Sequence, residues 1–512
     1  MKNFKKYIVP IFFLLIAILA IITLTTDVLF ARPGGGHSYS GGGGGGYSGG
    51  GGSGGGGGGD GLFTLIFWIL FDVLPAEISI PLVIIFVIYS IIKNNRMKKD
   101  GKHVSSSFNA SELLAKAFVN ADSQIATLKE RDANFSKYVF LDFVNSLYHR
   151  YYSYQGSKDF KLLNPFLSNT EKFVVENSLN PNLRYNEIVI GSMTISEIIF
   201  TNEITGIVVD IDANYTASVA GKNTRYVVTE RWLFNRKAGV LSKEPKDMQN
   251  LSCPNCGAPA DFTDAGECNY CHTFLEAGEQ QWMLKKRKVM SSQSFRTNNL
   301  TTYSEEVGTN YPTVFSRDLN SNIGKFMKNH SVIEWEDYWR GFENNIVRPY
   351  FLAIYAAWSE RRWSSIRNVI SDRLYESYSF WIDAYNREGL INKLDGIQIS
   401  KVQLVDLDVD KYYDSLTVRI YASCYDYVSD AAGKVKGGSK RNRRSYSEYW
   451  TFIRKSGVNK PEEEFDLKNC PNCGAPADKM GQAAVCGYCN AKISNGDFSW
   501  VLAVITQDEV YK

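Results

Sequence analysis

The sequence has 512 residues, a formal net charge of +3 and an isoelectric point near 8.2, a length that suits about three or four domains and not one. With 57 basic residues against 54 acidic ones, charge alone makes no case for a specific nucleic-acid partner. Nine cysteines, eight of them in two spaced quartets and Cys424 single, suit a reducing compartment better than a secreted disulfide scaffold.

Lys2, Lys5 and Lys6 precede an apolar run from Tyr7 to Phe30, so residues 1–31 read as either a signal peptide or a first transmembrane helix. Residues 32–61 are nearly all glycine, a composition that cannot bury apolar area and predicts a flexible segment. Residues 62–72, with Trp68, read as an interfacial apolar segment. Residues 73–92 read as a transmembrane helix, since twenty residues at about 1.5 Å rise cover about 30 Å. Lys93, Arg96, Lys98, Lys99 and Lys102 follow it, and positive charge marks the cytoplasmic side. The expected location is a bacterial-type cytoplasmic membrane, with the glycine-rich segment outside and everything after Lys93 inside. Residues 93–130 form a basic juxtamembrane segment and linker.

Cys253-Pro-Asn-Cys256 is answered by Cys268-Asn-Tyr-Cys271, and Cys470-Pro-Asn-Cys473 by Cys486-Gly-Tyr-Cys489. Two tight Cys-x-x-Cys turns can aim four thiolates at one ion in the tetrahedral arrangement zinc accepts. Gly257 and Gly474 follow the second cysteine, where such a turn calls for positive φ. All four ligands in each set are cysteine, which leaves no open position, so the two zinc ions expected are structural. The alternatives are disulfides or a redox dithiol, but a redox dithiol requires one pair and not matched quartets.

A larger duplication surrounds these motifs. Tyr148, Tyr152, Phe160 and Leu163 match Phe351, Tyr355, Trp363 and Ile366 at an offset of 203; Ile195-Ser196 matches Ile399-Ser400 at 204. Glu230, Trp232, Phe234, Arg236 and Gly239 match Glu448, Trp450, Phe452, Arg454 and Gly457 at 218. The growth in offset predicts an insertion of about 14 residues around Gly433 to Arg444. Phe140, Phe143, Val144, Leu147 and Tyr151 in the first copy, and Trp335, Trp339, Phe342, Ile346, Tyr350, Ile354 and Trp358 in the second, repeat at helical spacing. Alternating β-branched and aromatic runs follow at 207–215, 225–234, 416–427 and 445–453. Helices before strands predict an α+β fold with an antiparallel sheet curled around a long helix.

This order, with Asp132-x-Asn-Phe135-Ser136 leading into Phe140-Leu-x-Phe143, Tyr355-Ala-Ala-Trp358-Ser, and Glu448-x-Trp450-x-Phe452-x-Arg454, resembles the Tim44-like family, named for a mitochondrial inner-membrane translocase subunit. The likeness covers roughly residues 130–240 and 318–458, and Tyr154-Gln155-Gly156 departs from the Ala-Trp-Ser of the second copy. The resemblance implies two tandem cone-shaped domains similar to nuclear transport factor 2. The organisation expected is a Tim44-like domain at 131–248, a zinc ribbon at 249–292, a linker at 293–317, a second Tim44-like domain at 318–460 and a second ribbon at 466–508.

Few residues point to catalysis. His37 lies in the glycine-rich segment and His103 beside the expected membrane span. His149 would serve one copy only, His272 follows a completed cysteine quartet, His330 is the fifth histidine, and no His–Asp pair is recognisable in either copy. Asp406, Asp408 and Asp410 alternate along a strand and could bind a cation or face solvent. Glu230 and Glu448 share a sheet face with their tryptophans, and pairing with Arg225 or Arg444 is expected over a role in a pocket. Lys285 to Lys288, beside Trp282, read as solvated positions of a ribbon strand. Lys434, Lys436, Lys440, Arg441, Arg443 and Arg444 form a basic hairpin that could meet anionic lipid. The expected protein is a non-catalytic, membrane-anchored binding or tethering platform, tied by the resemblance to membrane protein transport. The alternatives are a lipid or small-ligand carrier using the cone and, behind it, an enzyme of the same fold class.

Overall fold

The computed structural model describes residues 124–512 apart from 179, 181, 250, 260, 264–265, 296–299, 301–306, 459–468, 477–483, 509–510 and 512. The two apolar tracts, the glycine-rich segment and the basic run after Lys93 lie outside the described residues, together with the anchor, signal-peptide and orientation readings placed on them. Among the described residues no helix is long and apolar enough to cross a membrane. Residues 124–130, the end of the stretch read as a linker, are helical.

Helix α1 (Lys137–Ser153) starts where the Ser136 side chain accepts from the Val139 N–H, satisfying one of the donors a helix start leaves open. Its inward stripe, Phe140, Phe143, Val144, Leu147, Tyr148, Tyr151 and Tyr152, is buried at 2 % exposure or less. A 3₁₀ segment (Lys158–Phe166) and α2 (Asn169–Ser178) lead into strands β1 (Leu183–Phe200), β2 (Ile204–Val219) and β3 (Lys222–Lys237). After the short helix α3 (Pro245–Gln249) and the first cysteine quartet comes β4 (Met283–Ser294). The sheet is antiparallel, in the order β1-β2-β3-β4.

The second half repeats this plan after α4 (Leu319–His330). Helices α5 (Trp335–Phe342) and α6 (Arg348–Ser359) run on through a π turn at Glu343–Val347. The apolar positions there recur every four residues, a longer period than 3.6, and the wider π turn absorbs the drift. A 3₁₀ turn (Trp363–Ile366) and α7 (Asp372–Arg387) precede β5 (Leu390–Val409), β6 (Tyr413–Asp430), β7 (Val435–Gly438), β8 (Arg444–Lys455) and β9 (Val501–Gln507). The order is β5-β6-β8-β9, with β7 paired to β6.

The two halves repeat down to their irregularities. Register shifts at Asn186/Val189, Ile190/Ser192 and Ile195/Glu197 in β1 recur at Asp395/Gln398, Ile399/Lys401 and Leu404/Asp406 in β5, a constant offset of 209. Ile195 therefore corresponds to Leu404 and not to Ile399. The lengthening is also divided: α7 has 16 residues where α2 has 10, and the rest enters at the hairpin carrying β7. The single insertion of 14 residues is corrected accordingly. β1 and β5 escape the sequence pattern because each bulge resets the alternation of inward and outward side chains.

Residues 283–292, read as part of the first ribbon, and 293–294, read as linker, pair with β3, and 501–507 pair with β8. In both halves the loop before the second helix meets this last strand, with Leu167 bridging Leu284 and Ile370 bridging Leu502. Each cysteine quartet is thus inserted between the last two strands of a sheet. Residues 307–316, expected as linker, form a strap over the outer face of the second sheet. Arg419, fully buried, donates to Gly308 O (3.1 Å) and Tyr311 O (2.9 Å) and pairs with Asp508 (2.9 Å). The halves pack together: Phe295 lies against Phe380 and Trp381, and Tyr413, Ile453, Val501 and Ala503 join the first core.

Candidate metal centres and buried carboxylates

Within each quartet the four sulfurs lie within 4.8 Å of one another. The nearest pairs are Cys253–Cys271 and Cys256–Cys268, both 4.0 Å, and Cys470–Cys489 and Cys473–Cys486, at 3.9 and 3.8 Å. A disulfide is about 2.05 Å long, so these are not disulfides. Four sulfurs placed tetrahedrally at about 2.3 Å from a zinc ion stand about 3.8 Å apart, so the donor set and the spacing fit that ion. Cys253, Cys256, Cys268 and Cys271 would hold one ion; Cys470, Cys473, Cys486 and Cys489 would hold the other. Neither set leaves a ligand position for substrate.

The local chain explains the convergence. In all four knuckles the residue after the second cysteine sends its N–H back to the carbonyl of the first: Gly257 to Cys253, His272 to Cys268, Gly474 to Cys470 and Asn490 to Cys486, at 2.8–2.9 Å. Each of these residues has positive φ, between 55° and 73°, the region glycine enters cheaply and asparagine or histidine tolerates. His272 therefore occupies a turn position, equivalent to Asn490. Its exposed ring faces Glu267 at 3.3 Å and is not a fifth ligand. The Thr273 hydroxyl and the Asn255 amide hold the Cys271 thiol down at about 5. Asn472 does the same for Cys489, to about 6. Burial pushes Cys253 up to about 12.

Each quartet is tied to its sheet in the same way. The Lys237 N–H donates to Gly278 O (2.8 Å) and the Lys455 N–H to Gly496 O (3.0 Å). A Cβ on Gly496 would stand 3.2 Å from the Ile453 carbonyl, so the return strand approaches as closely as it does because the residue is glycine. Trp282 and Trp500 then enter the two cores, almost fully buried, with Arg236 and Arg454 stacked on them at 4.2 and 4.5 Å. Arg236 also pairs with buried Asp132 at 2.8 Å. The sequence motif held both arginines; their stacking partners follow only from the return strand.

Glu230 and Glu448 are fully buried. Glu230 accepts from the Tyr152 hydroxyl and from the Trp232 indole (2.7 Å). Glu448 accepts from Tyr355 (2.6 Å) and Trp450 (2.9 Å). The pairing expected with Arg225 and Arg444 is corrected: these bind Glu187 and Asp426. Arg287 of β4, read as solvated, reaches Glu230 at 3.5 Å and Glu171 at 3.6 Å. Burial pushes the Glu230 carboxyl up, against the lowering pull of Arg287. In the second half the position of Arg287 is Ile505, opposite Trp450.

Rings fill the space around these carboxylates. Tyr148 packs on Trp232 at 5.1 Å and Tyr152 on Tyr215 at 4.9 Å; Phe351 packs on Trp450 at 4.9 Å and Tyr355 on Phe351 at 4.6 Å. The aromatics that could have lined a ligand pocket are packed against each other. Half-buried His149 is held below its ordinary pKa by burial. The structure does contain one His–Asp pair that the sequence hid: His330 meets Asp414 at 2.7 Å, both almost fully buried, with the ring against Phe326. No cation site forms at the aspartates: Asp408 pairs with Lys129 at 2.6 Å, and Asp410 accepts from the Tyr412 and Tyr413 N–H groups. In the basic hairpin Lys436 pairs with Asp430 (3.2 Å) and Arg444 with Asp426 (3.1 Å), and Arg443 bonds Gly396 O (2.5 Å).

Residues 340–469 match the family model of the Tim44-like domain. The match begins in α5 and ends at the edge of the second cysteine quartet, so it spans the helix α6, α7 and strands β5 to β8. No curated protein matches the chain.

Proposed function

We propose that this protein is a membrane-anchored, non-catalytic binding or tethering platform made of two Tim44-like modules, each with a structural zinc ribbon set before its last strand, and that it serves membrane protein transport. The observation that carries the reading is the filled interior: the Tyr–Glu–Trp constellation and its surrounding rings occupy the same place in both halves and leave the outer surfaces for partners. The family match over 340–469 supports the second module. The shared bulge register at a constant offset supports reading the first half as the same fold. The cysteine geometry supports zinc as a clamp on the last strand, with no chemistry beyond holding the turn. The anchor rests on the sequence alone, on residues 73–92 and the basic residues after them.

The surface offers places to test this. Ile333 is 86 % exposed and Phe173 65 % exposed, so both positions are open to an approaching partner. A photo-crosslinking residue placed at either site in the full chain, in its native membrane, should capture a discrete protein partner. Crosslinks to lipid only, or a chain recovered in the soluble fraction, would overturn the tethering reading.

A further inference from the structure

We propose that the cleft between the two modules, at Lys129, Lys325, Lys328 and Lys411, binds a small, multiply charged phosphate compound. The cavity has a volume of about 480 Å³ and is lined by Lys129, Phe135, Lys325, Lys328, Val409 and Lys411, with Ala133, Asn329 and Asp410 completing it. That volume lies in the usual range for small-molecule sites. Helix 124–131 and the turn after it supply one wall, α4 the second, and the turn between β5 and β6 the third, so the site exists only where both modules meet.

Carboxylates offset two of its four lysine charges and leave the other two uncancelled. Asp408 neutralises Lys129. Asp410 spends one oxygen on the backbone N–H groups of Tyr412 (2.7 Å) and Tyr413 (2.8 Å). Lys411 lies 2.9 Å from Asn134 Oδ1 and 3.6 Å from Glu244. Lys325 donates to Asn322 at 3.3 Å, and among the described residues neither it nor Lys328 has a carboxylate partner. These two exposed lysines stand three residues apart on α4, which places their Cβ atoms about 5–6 Å from each other, a separation that two oxygens of linked phosphates can bridge. All four cations are lysines. An ammonium group binds phosphate as a point charge with three rotatable donors. Phe135 and Val409 give the floor an apolar strip for the organic part of a ligand.

The test is calorimetric titration of inorganic pyrophosphate into the full chain in detergent. Saturable binding of one pyrophosphate per chain is expected, weakening at least about tenfold in the Lys325→Gln/Lys328→Gln double variant and falling with added salt. Arg441→Gln, which removes a positive charge from the distant hairpin, should bind like the parent. Absence of saturation, parent-like binding by the double variant, or an equal loss in Arg441→Gln would each overturn the site. Phosphatidylglycerol vesicles distinguish the source of phosphate: vesicle binding unchanged by the double variant supports a soluble ligand. Vesicle binding lost in that variant, with pyrophosphate not bound, overturns it.

Discussion

The two modules agree on the inside of their sheets and disagree on the outside. Tyr152, Glu230, Trp232, Phe234, Arg236 and Trp282 have their counterparts in Tyr355, Glu448, Trp450, Phe452, Arg454 and Trp500, all buried. On the opposite face of the same strands, Asp210 and Arg231 form an exposed ion pair, whereas Arg419 and Tyr449 at the corresponding positions lie under the strap at 307–316 and the chain end, with Tyr449 stacked on Tyr511 at 3.7 Å. A packed interior penalises any change of volume or hydrogen bonding. An outer face tolerates whatever later covers it. The shared core is therefore what this arrangement of helix and sheet requires, and the two halves differ where solvent or a covering segment meets them.

The largest expected effect sharpens that comparison at its metal sites. Cys253→Ser and Cys470→Ser should each remove one zinc equivalent from purified protein, since a structural zinc contributes about 10–16 kcal/mol of apparent binding free energy. Limited proteolysis should then cut only the ribbon carrying the substitution. Cleavage of both ribbons after a single substitution would break the picture of two independent clamps.

Next come the return strands. Trp282→Ala and Trp500→Ala should each cost about 3–5 kcal/mol in urea unfolding, and similar amounts, because both indoles fill the same place under a stacked arginine.

The carboxylates should differ. Glu230→Gln removes one of the two carboxylates facing Arg287 and leaves Glu171, so it should cost about 1–3 kcal/mol more than Glu448→Gln, because the second half has Ile505 at the position of Arg287. The sign of the pH dependence follows from the raised carboxyl. Above the ordinary glutamate range the unfolded chain has lost its proton while folded Glu230 still holds one. Stability of the first module should therefore fall as pH rises through that window and level off above the folded value. The Glu230→Gln variant should lack this slope in pH-dependent unfolding followed by tryptophan fluorescence.

The smallest effects belong to the hairpin that only the second module has. Arg444→Ala, which leaves the nearly buried Asp426 with the Asn392 amide but no cation, should cost about 1–2 kcal/mol, and Arg441→Ala should change stability by no more than about 0.5 kcal/mol. A matching loss at Arg441, read in the same denaturation series, would mean that the hairpin tip is packed.

Much of the site was legible because it is local. Two cysteines three residues apart with a positive-φ residue after them make a turn whatever surrounds it, so the two groups of four cysteines could be drawn from spacing. The helix stripe from Phe140 to Tyr151 and strands β2, β3, β6 and β8 were legible for the same reason, since their side chains repeat at 3.6 or 2 residues. Strands β1 and β5 were not, because three bulges apiece scramble that period. His330 and Asp414 are 84 residues apart, and nothing local announces their contact.

The α+β class, the cysteine turns and the recurring residue pattern were already readable in the sequence, since all rest on short-range spacing or on residues repeated between halves. Only the tertiary structure decided that each ribbon interrupts a sheet, that Arg287 turns inward to Glu230, and that a supposed linker covers Arg419. An alternating strand pattern says which side chains share a face, but which face meets the core, and which distant segment seals the other, depends on contacts made after the chain has closed on itself.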